Sequence, residues 1–289
     1  MEKTTHMPKT ATITGKGRLL LWIALATLLF SVFRRIDSLF QLGNILAEWT
    51  ASATLVFLTM ALVRLVLAGI VVLIVLPPIL GYKKLGDWLP GYLQVDRKRV
   101  LLGGLSFLMF GALAAAISLS MGIFRGDLAV VFAHPDLGPD PDIVGWAYFF
   151  LALVPGIWEE LAFRGLLLSK LRARFSNTAA ILLSAVFFGL FHFTNLLTQA
   201  PSQVIGGVIM ALFFGIAWGV MTVRSRSVVP AMLSHYLVDA MGQVFLNVDG
   251  ANPALATGFF LLLTVAFSAG NIVLAKILYR EAMPIARVA

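Results

Sequence analysis

Runs of apolar residues long enough to cross a bilayer recur along this chain, at roughly 19–33, 53–79, 100–122, 143–168, 178–194, 203–223, 228–247 and 255–278. Within each run the apolar character is continuous, whereas a barrel strand would alternate apolar and polar positions. In lipid the backbone can satisfy its own hydrogen bonds only in helices or in a closed barrel. The pattern therefore predicts an all-α fold: a polytopic bundle of about eight transmembrane helices. A tail at 1–18 precedes a single membrane domain at 19–289. The first run follows a basic start but lacks a small-residue cleavage site, so it reads as a retained span rather than a signal peptide.

Composition agrees with lipid as the solvent. Apolar residues make up 60% of the chain and charged residues 12%, and the mean hydropathy is +0.92. The net charge of +8 resides in short connections between runs. It therefore points to membrane topology and anionic headgroups rather than to nucleic acid. The absence of cysteine excludes disulfides, thiolate metal sites and a cysteine nucleophile.

The even-numbered connections are basic: Lys83, Lys84, Arg97, Lys98 and Arg99 in the second, Lys170, Arg172 and Arg174 in the fourth, Arg224 and Arg226 in the sixth. Both ends are basic as well, so the termini and these connections are assigned to the cytoplasm. The third connection instead carries Asp127, Asp136, Asp140 and Asp142 against one Arg125, the fifth no charge, and the seventh only Asp249. This is the charge pattern of a multi-pass plasma-membrane protein, of the bacterial inner-membrane kind. Arg34 and Arg35, after the first run, oppose the rule, and residues 36–51 suit an amphipathic helix on the surface. Arg64, inside the second run, either pairs with a buried carboxylate or snorkels. Most of the six tryptophans, Trp88 and Trp218 among them, read as interfacial anchors near span ends. Gly215-x-x-x-Gly219 permits close helix packing.

Ionisable residues inside spans are costly and mark candidate sites. They form three clusters here, all in the second half of the chain. The first is Glu159-Glu160-x-x-x-Arg164, just after Pro155-Gly156. Glu160 and Arg164 share a helix face, while Glu159 points about 100° away and has no local partner. A snorkelling interfacial group is the alternative. The second is Phe188-x-x-x-His192 with Asn195 beyond it, where the histidine alone could simply bond a neighbouring helix. The third is His235-x-x-x-Asp239, one helix face, which reads either as a structural pair or as an oriented imidazole. Ser234 points away from His235 and lacks the base that a serine nucleophile requires.

Together these groups suit hydrolysis. A glutamate in a low-dielectric cavity can take a proton from water, a histidine can hold that water, and a further polar face can stabilise an oxyanion. Glu159, His192 and His235 could alternatively hold zinc with one position open, although no His-Glu-x-x-His is present. The reading requires no cofactor and leaves zinc open. Helix rise sets a geometric condition. His235 lies roughly 10 Å and Asp239 roughly 16 Å from the cytoplasmic start of their run, His192 roughly 21 Å from its own, and Glu159 roughly 24 Å from its outer start. Tilting, or a break at Pro155-Gly156, must bring them together, in a cavity expected in the cytoplasmic half.

The ordered motifs resemble those of the CAAX prenyl endopeptidase and bacteriocin-processing family (CPBP, the abortive-infection family), over about 140–250. The resemblance implies a helical membrane protease of about eight spans, with Glu159 as base for water, Glu160 tied to Arg164 in support, His192 holding the water, and His235 with residue 239 at the oxyanion. Eukaryotic CAAX enzymes often carry Asn where this chain has Asp239. An ionised Asp accepts but does not donate hydrogen bonds, which favours a role in orienting His235. Substrates implied are peptides or membrane proteins, prenylated tails among them. A proton-coupled transporter, or a non-catalytic immunity or scaffold protein of the same fold, are the competing readings. The crowding of polar residues into one half counts against the transporter.

Overall fold

The computed structural model describes residues 15–36, 40–125, 146–245 and 253–280. The acidic residues Asp127, Asp136, Asp140, Asp142 and Asp249 lie outside the described residues, as do the first fourteen positions and 281–289. Among the described residues every regular element is helical. In chain order they are α1 (Lys16–Arg34), the short α2 (Leu42–Ala47), α3 (Ala53–Ile79), α4 (Arg97–Arg125), α5 (146–172), α6 (Asn177–Phe191), α7 (Pro201–Ser225), α8 (Val229–Phe245) and α9 (Pro253–Leu278).

Six of these helices contain a stretch long and apolar enough to cross a membrane, the first of them α1. The chain is thus an all-α, polytopic membrane bundle, with six such spans where about eight were expected. The two not counted are α5 and α8. They carry the clustered charges, and α8 is described over only 17 residues. The expected amphipathic segment at 36–51 contains α2, whose residues are all at least partly exposed.

The basic connections meet at one pole. Val228 donates its N–H to the Tyr92 carbonyl, and the Ser227 hydroxyl donates to the carbonyl of Gln94 at 2.7 Å. Lys98 lies over the Tyr279 ring, and Lys16 over that of Phe175. At the opposite pole Arg35 donates to Asn195, and Phe57 of α3 packs on Tyr148 of α5. Serine hydroxyls cap two of the helices, Ser52 for α3 and Ser176 for α6, each accepting a first-turn N–H.

Small residues set the tightest contacts. α7 lies against α6 through Gly215 and Gly219. A Cβ at Gly215 would stand 3.0 Å from the Cβ of Ala185, and one at Gly219 would stand 3.0 Å from Ile181. α5 approaches α8 even more closely: a Cβ at Gly156 would lie 2.6 Å from the Tyr236 Cβ. Gly156 sits in a π-helical stretch, Val154–Glu159, followed by a second one at Leu161–Leu167. The break anticipated at Pro155-Gly156 is therefore a widening of the helix rather than a kink. Proline at 155 has no N–H to give to the ladder, and insertions of this kind recur at functional sites.

Gly156→Ala is expected to force α5 away from α8 and to lower stability by about 1–3 kcal/mol, the usual cost of overpacking. Gly206→Ala, where nothing lies within 4 Å of the new methyl, serves as the control and is expected to be neutral or slightly stabilising. Thermal unfolding of the two variants in detergent measures the difference.

Candidate active site

The two adjacent glutamates of α5 face different surroundings, as successive positions on a helix must. Glu160 is fully buried, and its Oε1 lies 3.0 Å from Arg164 Nη1 and 2.8 Å from His235 Nδ1. Arg164 is buried as well. Its guanidinium stacks on Phe188 at 4.2 Å and faces Trp218 at 5.5 Å. A charge in hydrocarbon is tolerated only when paired; the ion pair lies within α5, and the bond from His235 to Glu160 ties it to α8.

Glu159 turns into a cavity of about 420 Å³. It is 2% exposed, and neither carboxylate oxygen accepts a hydrogen bond from the described residues. Arg34 Nη2 lies 3.5 Å from its Oε1. Sequence reasoning took Arg34 and Arg35 as an exception to the charge rule of the connections. Both line this cavity instead, as does Arg64, so their charge belongs to the interior. Arg34 reaches Glu159 from the end of α1, with its guanidinium 4.7 Å above the Phe191 ring. The signal was present in the sequence as a breach of the positive-inside rule.

His192 stands where α6 passes into a short 3₁₀ turn, His192–Leu197. Its Nδ1–H donates to the Phe188 carbonyl at 2.8 Å, which leaves Nε2 as the acceptor nitrogen. His235 donates Nδ1–H to Glu160 and is stacked on Trp218, ring centroids 4.1 Å apart. Its Nε2 lies 3.6 Å from Asp239 Oδ2, beyond hydrogen-bond range. Glu160, 75 positions away in sequence, is thus the hydrogen-bonded carboxylate that orients this imidazole, rather than Asp239.

Trp218, expected at an interface, is 1% exposed. Its indole N–H donates to Ser234 Oγ, which also shares a 2.6 Å hydrogen bond with Ser106. Ser234 thereby holds the tryptophan that backs His235. Trp88 is buried too, beside Gly165.

Glu159, His192, His235 and Asp239 line one cavity, and Glu159 lies within electrostatic reach of Arg34, Arg164 and both histidines. Arg164 and Glu160 stand behind it. The cavity is at mid-depth and extends toward the pole of Arg35 and Tyr148, not into the half nearer the basic connections as expected. Depths counted on straight, matched helices misplace it, because α5 is widened by its π turns and α8 begins close to His235. Among the described residues no three of His, Asp and Glu gather closely enough to hold a metal. Glu159, His192 and His235 are not drawn together into such a set in this arrangement.

Within the membrane bundle, a buried ion pair with a histidine bonded to it thus stands beside a second glutamate that lines a cavity. Residues 141–241 match the family model described as Rce1-like, type II CAAX prenyl endopeptidases. That stretch contains Glu159, Glu160, Arg164, His192, His235 and Asp239, so the resemblance seen in the motifs is supported, and with it a CAAX-type membrane protease at the level of the family. No curated protein matches the chain.

Arg164→Leu is expected to lower stability by about 3–5 kcal/mol, because it strands Glu160 as a buried charge with only His235 for a partner. Unfolding of the detergent-solubilised protein checks this. A change under about 1 kcal/mol, the range of a solvent-exposed pair, would mean that the pair is hydrated.

Proposed function

We propose that the chain is an intramembrane endopeptidase that hydrolyses a peptide bond with water activated by Glu159. The observation that carries this reading is the contrast between two neighbouring acids. Glu160 is committed to Arg164 and His235, while Glu159 lines the cavity with neither oxygen hydrogen-bonded by the described residues and Arg34 3.5 Å from Oε1.

In the proposed reaction Glu159 accepts a proton from water as the water oxygen attacks the scissile carbonyl carbon. His192, with Nδ1–H held by Phe188, uses Nε2 to accept the second O–H and so aims the attack. The carbonyl π pair moves onto oxygen. His235, when it carries both ring protons, donates Nε2–H to that oxyanion while Glu160 holds Nδ1–H. The C–N bond then breaks as Glu159 returns its proton to the leaving nitrogen, giving an amine and a carboxylic acid, which releases its remaining proton to water as a carboxylate. Asp239, 3.6 Å from Nε2, is a counter-charge to the imidazolium. Arg34, 3.5 Å from Glu159, is the counter-charge to its carboxylate. No step runs through a metal. Candidate substrates are peptides and membrane proteins, prenylated tails among them, with the lipid bilayer as surroundings.

Cleavage of a fluorogenic peptide library that includes prenylated CAAX tails tests the reading. Glu159→Gln and His192→Ala are each expected to reduce the rate by about 10²–10⁴-fold with the fold retained, and a chelator is expected to leave the rate unchanged. Equal cleavage by all three proteins would remove the site. Absence of cleavage by a folded wild type, alongside proton uptake in vesicles, would favour the transporter.

A further inference from the structure

The cavity at Glu159 adjoins a second one. Arg64 and Leu151 line both. The second cavity lies beneath α2, between it and the first half of α3, with Gln41, Asn44 and Thr50 at its rim and Val56, Phe57 and Met60 along its wall. These elements belong to the pole of Arg35 and Asn195, away from the basic connections.

The other direction is closed. From Leu161 to Leu168 every residue of α5 is buried, with Phe163 and Leu166 at 0%. Trp88, also at 0%, lies across this stretch: it comes within 3.4 Å of a Cβ built at Gly165. Beyond it Lys170 lies over the Tyr82 ring, and Tyr82 bonds Ser169 at 2.5 Å. The connection between α3 and α4 thus plugs the bundle under the Glu160–Arg164 pair.

Charge assigns sides to these poles. Among the described residues, Lys83, Lys84, Arg97, Lys98, Arg174 and Arg226 belong to connections at the plugged pole. Arg34 and Arg35, which had argued the other way, line the internal cavity. Apart from these two and Arg125 at the far end of α4, the basic residues of the described connections lie at the plugged pole, which the positive-inside rule places in the cytoplasm.

We propose that peptide reaches Glu159 from the extracytoplasmic face, through the cavity beneath α2. The substrate class is then a polypeptide segment presented on that face, such as an exported peptide or an outward-facing loop or tail of a membrane protein, rather than a cytoplasmic tail. The polar rim suits a hydrated backbone, and the apolar wall of α3 suits side chains leaving water. The substrate class rests on the endopeptidase reading; the route itself does not.

The chain has no cysteine, so single-cysteine variants of the full protein report the route directly. Thr50→Cys, Leu151→Cys and Lys84→Cys are treated with a charged, membrane-impermeant methanethiosulfonate in sealed right-side-out and inside-out vesicles, and modification is read by mass. The proposal expects Thr50→Cys and Leu151→Cys to be modified in right-side-out vesicles and Lys84→Cys only in inside-out ones. Modification of Leu151→Cys only from the Lys84 side, or from neither side in protein that extracts as a monodisperse species, would overturn it. Because labelling needs no turnover, an inactive protein with the expected labelling would sink the endopeptidase reading and leave the route standing.

Discussion

Glu160, Arg164 and His235 are buried together in a bundle whose solvent is lipid, and neither charge of the ion pair is tolerable there alone. Stranding one partner of such a pair costs about 3–5 kcal/mol, a large part of the stability of an ordinary domain. The pair lies within α5, and the hydrogen bond from His235 to Glu160 ties it to α8, near the close approach at Gly156 and beside the aromatic faces of Phe188 and Trp218. It adds structure around Glu159 without using Glu159 itself.

From that anchoring follows the division between the two acids. One glutamate is consumed by structure, and its neighbour, turned to another face of the same helix, meets the cavity. The π-helical stretches on both sides of Glu160 let a single helix serve both purposes. A regular α-helix at this place would have to retain proline at 155 with its missing N–H and still bring the backbone against Tyr236. His192 and His235 are each fixed by a hydrogen bond at Nδ1, to a carbonyl and to a carboxylate, so both present Nε2 as the nitrogen left to act. Their tautomers follow from packing rather than from each other.

Much of this was legible in the sequence because lipid makes every buried charge conspicuous. Continuous apolar runs marked the bundle, and the ionisable residues that interrupt them are the ones found around the cavity. What escaped reading depended on contacts distant in sequence. The bond from His235 to Glu160 spans 75 positions, whereas the nearby Asp239 had looked the natural partner. Trp218 resembled an interfacial anchor because its position near a span end does not reveal which face it occupies. Arg34 is ambiguous in the sequence: an arginine that defies the charge rule for connections is either a topological anomaly or not in a connection at all, and only the packing of α1 against α6 shows which. Depth misled for a similar reason, since helices of unequal length do not start at one level.

The central claim is that Glu159 directs water at a carbonyl and does not attack it. A single turnover of a cleaved peptide in H₂¹⁸O, followed by mass analysis of both the product and the proteolysed enzyme, tests that most directly. The account predicts the heavy oxygen in the new C-terminal carboxylate of the product and none in the peptide that carries Glu159. Label on Glu159 would mean that the carboxylate itself had bonded to the substrate, and would contradict it.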